Sequence, residues 1–365
     1  MTEPPREPAP PASAPASGRF LLVACQPGSE DAVFLSQEHF LPDATRAAWR
    51  RGVVTFRLPL GTDFPADGLP FARTAVDSLG QVTGNTPAEL AAAAVDRVAA
   101  AVTCVHVWQR LPVQRREPQT SDASEALPSA AEVHQAIVER LGLDNTPTGS
   151  ESVAGRVAND GEKVLDLVID SPGRAWLGWH VARTPASRWP GGIYPTTLPE
   201  DAVSRAWLKL DEALAAFEVP IRSGQRAVEL GASPGGASQR LLSLGLHVVG
   251  IDPAEIDPRV ADHPRFEHWK MRARDVRLRQ LRDFEWLVTD MNIDPASTMD
   301  ALERVATAGG RTLKGIIATL KLPQWKRAAD LPGWLGRFET WGFRPHARQL
   351  SCGGREVCVV ARRGS

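Results

Sequence analysis

The chain has 365 residues, of which 43% are apolar and 23% charged, a composition that excludes wholesale disorder and predicts two domains. Its net charge of −1 gives no general basic signal for a nucleic-acid partner. No long uncharged apolar stretch is present, and the four cysteines form neither a C-x-x-C pair nor a metal-ligand spacing. We therefore expect a soluble cytoplasmic protein without a membrane segment, a disulfide framework or a metal site.

The N-terminal half mixes strand and helix patterns. Residues 1–18 are rich in Pro, Ala and Ser and lack the apolar run of a secretion signal, so they predict a disordered tail. Residues 19–185 predict an α+β domain, with strands at 19–28, 53–60, 103–110, 163–170 and 174–183 and helices at 87–102 and 129–143. Residues 186–203 are dense in Pro and Gly and predict a linker.

From residue 204 onward, short apolar runs alternate with helical segments. Buried strands are predicted at 227–230, 247–252, 286–290, 312–322 and 356–362. This alternation predicts an α/β, Rossmann-like domain over residues 204–365, built on a parallel sheet. Because ligands of such sheets bind at the carboxyl ends of the strands, the polar residues that follow each strand are the candidates for a site.

A glycine-rich loop follows the first of these strands. The sequence VELGASPGGASQRLL (228–242) predicts a strand, a turn that a ligand can approach closely, and a helix. Its spacing lacks both the G-x-G-x-x-G of dinucleotide sites and the Gly-Lys-Ser/Thr of phosphate loops, which disfavours an NAD-dependent oxidoreductase. Asp252 ends the next strand, where an acid can bind ribose hydroxyls. A structural turn followed by a strand-end acid remains the alternative.

The phrase ELGASPGG, followed by a strand that ends in GIDP, resembles the S-adenosylmethionine loop of FtsJ-type RNA 2′-O-methyltransferases. Four further segments resemble the catalytic segments of that family: SRAWLKLDEAL (204–214), TDM (289–291), ATLKLP (318–323) and REV (355–357). The resemblance covers roughly residues 200–363 and implies a catalytic tetrad of Lys209, Asp290, Lys321 and Glu356. One departure is Ala237, where the family often has an aromatic residue after PGG.

Within the family, the chain most resembles the type that methylates a cytidine of 23S ribosomal RNA and carries a THUMP-like RNA-binding domain ahead of the catalytic domain. This implies a THUMP-like domain at 19–185, S-adenosylmethionine as cofactor, and RNA as partner before subunit assembly is complete. Alternatives are a catalytically inactive RNA-binding relative and a methyltransferase of another RNA, such as tRNA or an mRNA cap. The oligomeric state stays open.

The cofactor is expected to contact the glycine loop and two acids. The loop candidates are Gly231, Ser233, Pro234, Gly235 and Gly236. Asp252 would bind the ribose hydroxyls, and Asp275 would bind the adenine amino group. An exposed acid that offsets nearby arginines is the alternative for Asp275.

Methylation of a ribose 2′-hydroxyl is a reaction that lysine side chains are suited to assist. A ribose 2′-hydroxyl is a weak acid, so methyl transfer needs it aligned and relieved of its proton. A lysine can stabilise the developing alkoxide or, when neutral, accept the proton. We expect Lys321 to be the central group and Asp290 to steer it, while Lys209 and Glu356 position the hydroxyl and the lysine. Each residue alone has an ordinary surface explanation, but their joint order favours the tetrad.

Charge is unevenly distributed along the chain. Residues 201–365 carry 25 basic and 20 acidic side chains, so the half with the glycine loop is the basic one. Between 259 and 282 there are eight basic residues against three acids, interleaved with His263, His268 and Trp269. Such a segment can neutralise RNA phosphates, and a solvated amphipathic surface is the alternative.

Overall fold

The computed structural model describes residues 19–62, 64, 68–98, 101–111, 127–143 and 150–364. The predicted tail at 1–18 lies outside these residues. The chain divides into two compact units, Met1–Ile193 and Tyr194–Ser365. Among the described residues, no helix is both long enough and apolar enough to cross a membrane.

The first unit contains a mixed sheet of eight strands in the order β2-β3-β1-β4-β8-β7-β5-β6. The strands are β1 (Arg19–Cys25), β2 (Thr45–Arg50), β3 (Val53–Leu58), β4 (Ala72–Thr83), β5 (Cys104–Gln109), β6 (Val153–Ala154), β7 (Lys163–Ser171) and β8 (Arg174–Val181). The helices are α1 (Glu30–Phe40), α2 (Pro87–Val95) and α3 (Ala130–Leu141). The α+β prediction and the β7–β8 hairpin agree with this arrangement.

The core of the first unit lies between α2, α3 and the strands β4, β5, β7 and β8. Local chemistry fixes the start of α2, because the Thr86 hydroxyl accepts the Glu89 backbone N–H at 3.2 Å. The Glu89 carboxylate in turn accepts the Asn85 N–H at 2.7 Å, which makes a reciprocal cap. Strand β4 was not predicted, because ARTAVDSLGQVT contains Asp, Ser, Gly and Gln and so lacks an uninterrupted apolar run.

The second unit contains a sheet of seven strands in the order β11-β10-β9-β12-β13-β15-β14. The strands are β9 (Arg226–Leu230), β10 (His247–Ile251), β11 (Phe266–Trp269), β12 (Trp286–Thr289), β13 (Gly315–Lys321), β14 (Phe343–Arg348) and β15 (Glu356–Arg363). The helices are α4 (Ala206–Ala216), α5 (Gly236–Ser243), α6 (Pro258–Ala261), α7 (Pro295–Gly309) and α8 (Leu331–Thr340). The predicted Rossmann-like α/β fold of this unit is confirmed.

The sheet is not parallel throughout, which corrects the sequence expectation. Strands β9 to β13 are parallel, whereas β15 lies antiparallel between β13 and β14. The reason is local: β14 and β15 are joined by a turn too short to hold a crossover helix, so they pair as a hairpin. The consequence for the site is direct, because Glu356 at the start of β15 pairs with Lys321 at the end of β13.

Candidate active site

The loop from β9 to α5 needs glycine at three positions. Gly231 has φ of +76°, and a Cβ there would lie 2.4 Å from the Met291 Cγ. Gly235 precedes α5 with φ of +118°, a conformation that L side chains rarely adopt. At Gly236 a Cβ would lie 2.1 Å from the Ser204 hydroxyl oxygen. A Cβ atom at Gly231 or Gly236 would therefore overlap Met291 or Ser204, and only glycine lets the backbone of the loop lie this close to them.

Asp252 holds this loop against the end of β10. Its carboxylate accepts the backbone N–H of Ser233 at 3.2 Å and that of Ala254 at 2.8 Å. The Ser233 hydroxyl donates to the Glu255 carbonyl at 2.8 Å, and the Ser233–Pro234 peptide is cis. Because each carboxylate oxygen has two lone pairs, Asp252 retains the capacity to accept a ribose hydroxyl as well.

A cavity of about 230 Å³ opens beside the loop. It is lined by eleven residues: Ser204, Arg205, Ala206, Lys209, Glu229, Gly231, Ala232, Ser233, Pro234, Gly236 and Asp290. Four of the five predicted loop residues are among them, and so are two of the predicted catalytic residues. Asp275 is not: it is exposed at the end of a short 3₁₀ turn, 3.9 Å from Arg274. Its predicted role gains no support from this placement.

The four predicted catalytic residues come together from four elements. Lys209 lies on α4, Asp290 follows β12, Lys321 ends β13 and Glu356 begins β15. Lys321 Nζ donates to Asp290 Oδ1 and to Glu356 Oε2, both at 2.6 Å. Lys209 Nζ lies 3.1 Å from Asp290 Oδ2 and 2.8 Å from Glu356 Oε1. Each lysine therefore contacts both carboxylates, and each carboxylate contacts both lysines.

The electrostatics of this cluster favour the charged forms of Lys209 and Glu356. These two side chains are only 13% and 8% exposed, so burial opposes their ionisation. For Lys209, the attraction of Asp290 and Glu356 outweighs burial and raises its pKa above the ordinary value. For Glu356, the two lysines outweigh burial in the same way and hold its pKa below the ordinary value. Lys209 is therefore an ammonium at neutral pH.

Sequence reasoning missed Glu229, a buried acid at the edge of the cavity. It lies in β9, is 2% exposed, and accepts a hydrogen bond of 2.5 Å from the Ser238 hydroxyl. Burial raises its pKa from 4.5 to about 8, and the charges of Asp290 and Asp252 act in the same direction. The signal was a glutamate inside an otherwise apolar strand, AVEL, directly before the glycine loop.

Sequence reasoning also missed Glu212, which organises the turn before β15. Glu212 is fully buried on α4, one helical turn beyond Lys209. Its carboxylate accepts the backbone N–H of Ser351 at 2.6 Å, the Ser351 hydroxyl at 3.0 Å and the Cys352 N–H at 3.0 Å. This turn leads into Glu356 at the start of β15. Helix α4 therefore both carries Lys209 and holds the strand that places Glu356 opposite it.

Some basic residues of the segment 259–282 form ion pairs within the chain, and the others are available to bind RNA phosphates. Arg259 pairs with Asp257, and Lys270 pairs with Glu255. Four other arginines are exposed and have no acidic partner among the described residues: Arg272, Arg277, Arg279 and Arg282. Within the described chain no cluster of His, Cys, Asp and Glu has an arrangement that would hold a metal ion.

Comparison with known proteins places this chain in a family. The family model of the FtsJ-like methyltransferases matches residues 202–334. The ribosomal RNA large subunit methyltransferase M of Halorhodospira halophila is 30% identical over 353 residues, which cover 94% of this chain and 96% of that protein. The chain belongs to the ribosomal RNA large subunit methyltransferase M family. Its enzyme class is therefore that of the S-adenosylmethionine-dependent methyltransferases.

Other members of the methyltransferase M family match over about half their length. The protein of Laribacter hongkongensis is 32% identical over 55% of this chain and 56% of its own length. That of Xylella fastidiosa is 35% identical over 47% and 51%. Among solved structures, TrmN from Thermus thermophilus covers 94% of this chain and 99% of its own, with 13% identity and a TM-score of 0.33. A TM-score of this size does not establish a shared fold.

The residues around the cavity fit S-adenosylmethionine. The molecule carries a cationic sulfonium and an α-ammonium group, and the cavity presents the side-chain oxygens of Glu229 and Asp290, which can accept hydrogen bonds from the ammonium in either protonation state. The glycine backbone leaves room for close approach, and Asp252 stands at the end of the adjacent strand, where a ribose is bound in such folds. The acidic lining and the glycine loop are therefore the features of this chain that would hold the methyl donor.

Proposed function

We propose that this enzyme methylates the 2′-hydroxyl of a cytidine in 23S large-subunit ribosomal RNA, before subunit assembly is complete. The name of the full-length relative supports RNA as the substrate, while cytidine and the 23S molecule come from the sequence resemblance. The observation that carries the proposal is the closed cluster of Lys209, Asp290, Lys321 and Glu356 beside the glycine loop. The named relatives are bacterial proteins, and bacteria make their ribosomal RNA in the cytoplasm, so we expect the enzyme to act there.

The reaction replaces a hydroxyl proton with a methyl group. S-adenosylmethionine, when bound, supplies an electrophilic methyl group on sulfur. The 2′-oxygen loses its proton to solvent or to a neutral lysine amine, and the O–C bond forms. The C–S bond breaks and leaves its electron pair on sulfur, so that the sulfonium becomes a neutral thioether. Since the hydroxyl is a weak acid, the enzyme must stabilise negative charge on the 2′-oxygen as the proton leaves.

The lysine arrangement suits this requirement. An ammonium has three N–H donors, and Lys321 uses two of them on Asp290 and Glu356. The third remains available for the 2′-oxygen, where it would stabilise the developing alkoxide. Should Lys321 release a proton before the reaction, the same geometry lets its amine accept the hydroxyl proton. Either way, the two carboxylates fix the direction in which Nζ points.

Lys209 has a different part in the proposal. Its raised pKa keeps it protonated, so it has no lone pair with which to accept the hydroxyl proton. Its contribution is a fixed positive charge and a bridge between Asp290 and Glu356. Removing it would leave the two buried carboxylates with one cation instead of two. We therefore assign Lys209 to positioning and Lys321 to contact with the reacting oxygen.

Substitution of Lys321 tests the proposal. Lys321→Met keeps the length and apolar stem of the side chain but removes the donors, so transfer of labelled methyl to protein-free 23S RNA should fall by roughly 10²–10⁴-fold. Calorimetry should show S-adenosylmethionine binding within a few-fold of the unsubstituted enzyme. The matched control is Lys163→Met, an exposed lysine at the start of β7, which should leave the rate unchanged.

Three results would overturn parts of the proposal. An unchanged transfer rate in Lys321→Met would remove Lys321 from catalysis. RNA binding by the unsubstituted chain without any methyl transfer would identify an inactive RNA-binding relative. Mapping of 2′-O-methyl groups in a strain that lacks the protein would decide the substrate, because loss of a tRNA site with intact 23S RNA would point to another RNA.

A further inference from the structure

A concave basic surface lies at the end of the second-unit sheet opposite the tetrad. Strands β9, β12 and β13 begin at this end, β15 finishes here and β14 starts here. A cavity of about 560 Å³ is lined by five cationic side chains and a histidine: Arg222, Lys314, Arg344, Arg362, Arg363 and His346. We call these six residues the basic groove. A second cavity, of about 590 Å³, shares Lys314 and Arg363 and adds Arg311.

Among the described residues no Asp or Glu lines the basic groove, and within that part of the chain its charges are largely uncompensated. Arg363 is held by donation to the Leu313 carbonyl at 2.9 Å and the Gly310 carbonyl at 2.7 Å, and its guanidinium lies over the Phe343 ring. These contacts fix its geometry without neutralising its charge. Lys314 pairs with Glu285 at 2.7 Å, an exposed contact worth little in water.

Two of these arginines face each other directly across the sheet. Arg344 on β14 and Arg362 on β15 are cross-strand partners, so their side chains leave the same face of the hairpin. Like charges at such positions repel and are destabilising. Neither has an acidic partner among the described residues. Two arginines held this close destabilise the fold unless an anion lies between them. Their placement is therefore expected of a site that binds an anion.

The groove is within reach of a substrate that is held at the tetrad. Strand β13 runs from Gly315, beside the groove, to Lys321 in the tetrad, which is roughly 20 Å at about 3.3 Å per residue. An RNA chain bound at Lys321 therefore needs to extend only a short distance to present phosphates here. Arginine forks match phosphate oxygens in shape as well as charge.

We propose that the basic groove binds the phosphodiester backbone of the RNA substrate at a distance from the modified ribose, through charge and not through sequence. This inference rests on the proposed function, because it takes the methylated RNA to be the ligand. The groove anchors a flanking segment, so long RNA gains affinity from it and short RNA does not.

The test uses the full chain with Arg344→Gln and Arg362→Gln combined. Affinity for a long 23S transcript is measured at several salt concentrations. Loss of two phosphate contacts should make the slope of log affinity against log salt shallower by about two. The KM for long RNA should rise severalfold at unchanged kcat, and a short oligonucleotide around the modified nucleotide should react equally with both proteins.

Two comparison variants make the result interpretable. Arg344→Lys with Arg362→Lys keeps both charges and should restore most of the slope. Arg304→Gln with Arg337→Gln removes two charges from helices α7 and α8 and should leave the slope unchanged. Thermal unfolding should show the groove variant folded and at least as stable as the unsubstituted chain, because a repulsive pair is gone.

The outcomes separate this inference from the proposed function. If the unsubstituted enzyme methylates 23S RNA and the groove variant has the same salt slope, the groove does not bind RNA. If the unsubstituted enzyme neither binds nor methylates 23S RNA, the proposed function fails and the groove inference fails with it.

Discussion

The buried acid Glu229 gives the most quantitative prediction from this structure. It is 2% exposed, its side chain accepts a hydrogen bond from the Ser238 hydroxyl, and no cation contacts it among the described residues. Burial raises its pKa to about 8, with Asp290 and Asp252 adding to the shift. Glu229→Gln replaces the acid with an amide of nearly the same shape that stays neutral at every pH and can still accept from Ser238.

The size of the effect follows from the two pKa values. Since the folded-state pKa exceeds the ordinary value of 4.5, the folded protein keeps a proton that the unfolded chain has released. The contribution of Glu229 to stability is therefore fully present below about pH 4.5 and is lost as the pH rises to about 8. At about 1.36 kcal/mol for each pKa unit, the loss between pH 5 and pH 8 is roughly 4 kcal/mol.

Urea unfolding of both proteins at several pH values between 5 and 8 measures this difference. The Glu229→Gln variant should match the unsubstituted chain near pH 5 and exceed it by a few kcal/mol at pH 8, since titrations common to both proteins cancel. Glu356→Gln is the control of opposite sign: the depressed pKa of Glu356 means that its stabilisation persists above its ordinary pKa. The free energy of unfolding of Glu356→Gln should therefore lie below that of the unsubstituted chain by the same amount at every pH in this range. If the free energies of unfolding of Glu229→Gln and the unsubstituted chain differ by the same amount at every pH, the reasoning from burial is refuted.

Two further substitutions test the frame around the site. Gly236→Ala would drive a Cβ into Ser204 at the entry to α4, so we expect about 1–3 kcal/mol lower stability and slower transfer. Its control is Gly336→Ala in α8, where a Cβ meets open space and unfolding should show no loss. Glu212→Gln puts an amide donor against backbone donors, so kcat should fall roughly ten- to hundredfold at unchanged KM for RNA. An unchanged kcat would make Glu212 purely structural.

Strand order explains why two of the predicted tetrad residues lie close together. Asp290 and Lys321 were assigned from the family resemblance, and both lie at the ends of apolar runs that form parallel neighbouring strands, whose carboxyl ends meet at one edge of the sheet. Glu356 reaches the same place by another route, because β15 runs antiparallel and contributes its first residue. Family resemblance, and not periodicity, located it, since no pattern in the sequence reveals the direction in which a strand pairs.

What the sequence did not reveal depends on burial and on contacts between distant segments. Glu229 interrupts an apolar strand and Glu212 lies in a helix, but only the packed structure shows that both side chains are buried. Asp275 was a candidate for the adenine amino group from its place in the ARDVRL segment. The structure leaves it exposed and outside the lining of the cavity beside the glycine loop, so its contact with the cofactor stays a prediction.

Asp290 links the two halves of the site, and this affects how variants should be interpreted. It accepts hydrogen bonds from both lysines, and its charge also contributes to the raised pKa of Glu229. Loss of its charge would free the lysines on one side and ease ionisation of Glu229 on the other. Reduced activity in an Asp290→Asn enzyme would therefore have two causes: the loss of contacts to the lysines and a changed charge on Glu229 in the cofactor cavity. Lys321 contacts Asp290 and Glu356 but not Glu229, so its substitution isolates the step at the ribose oxygen.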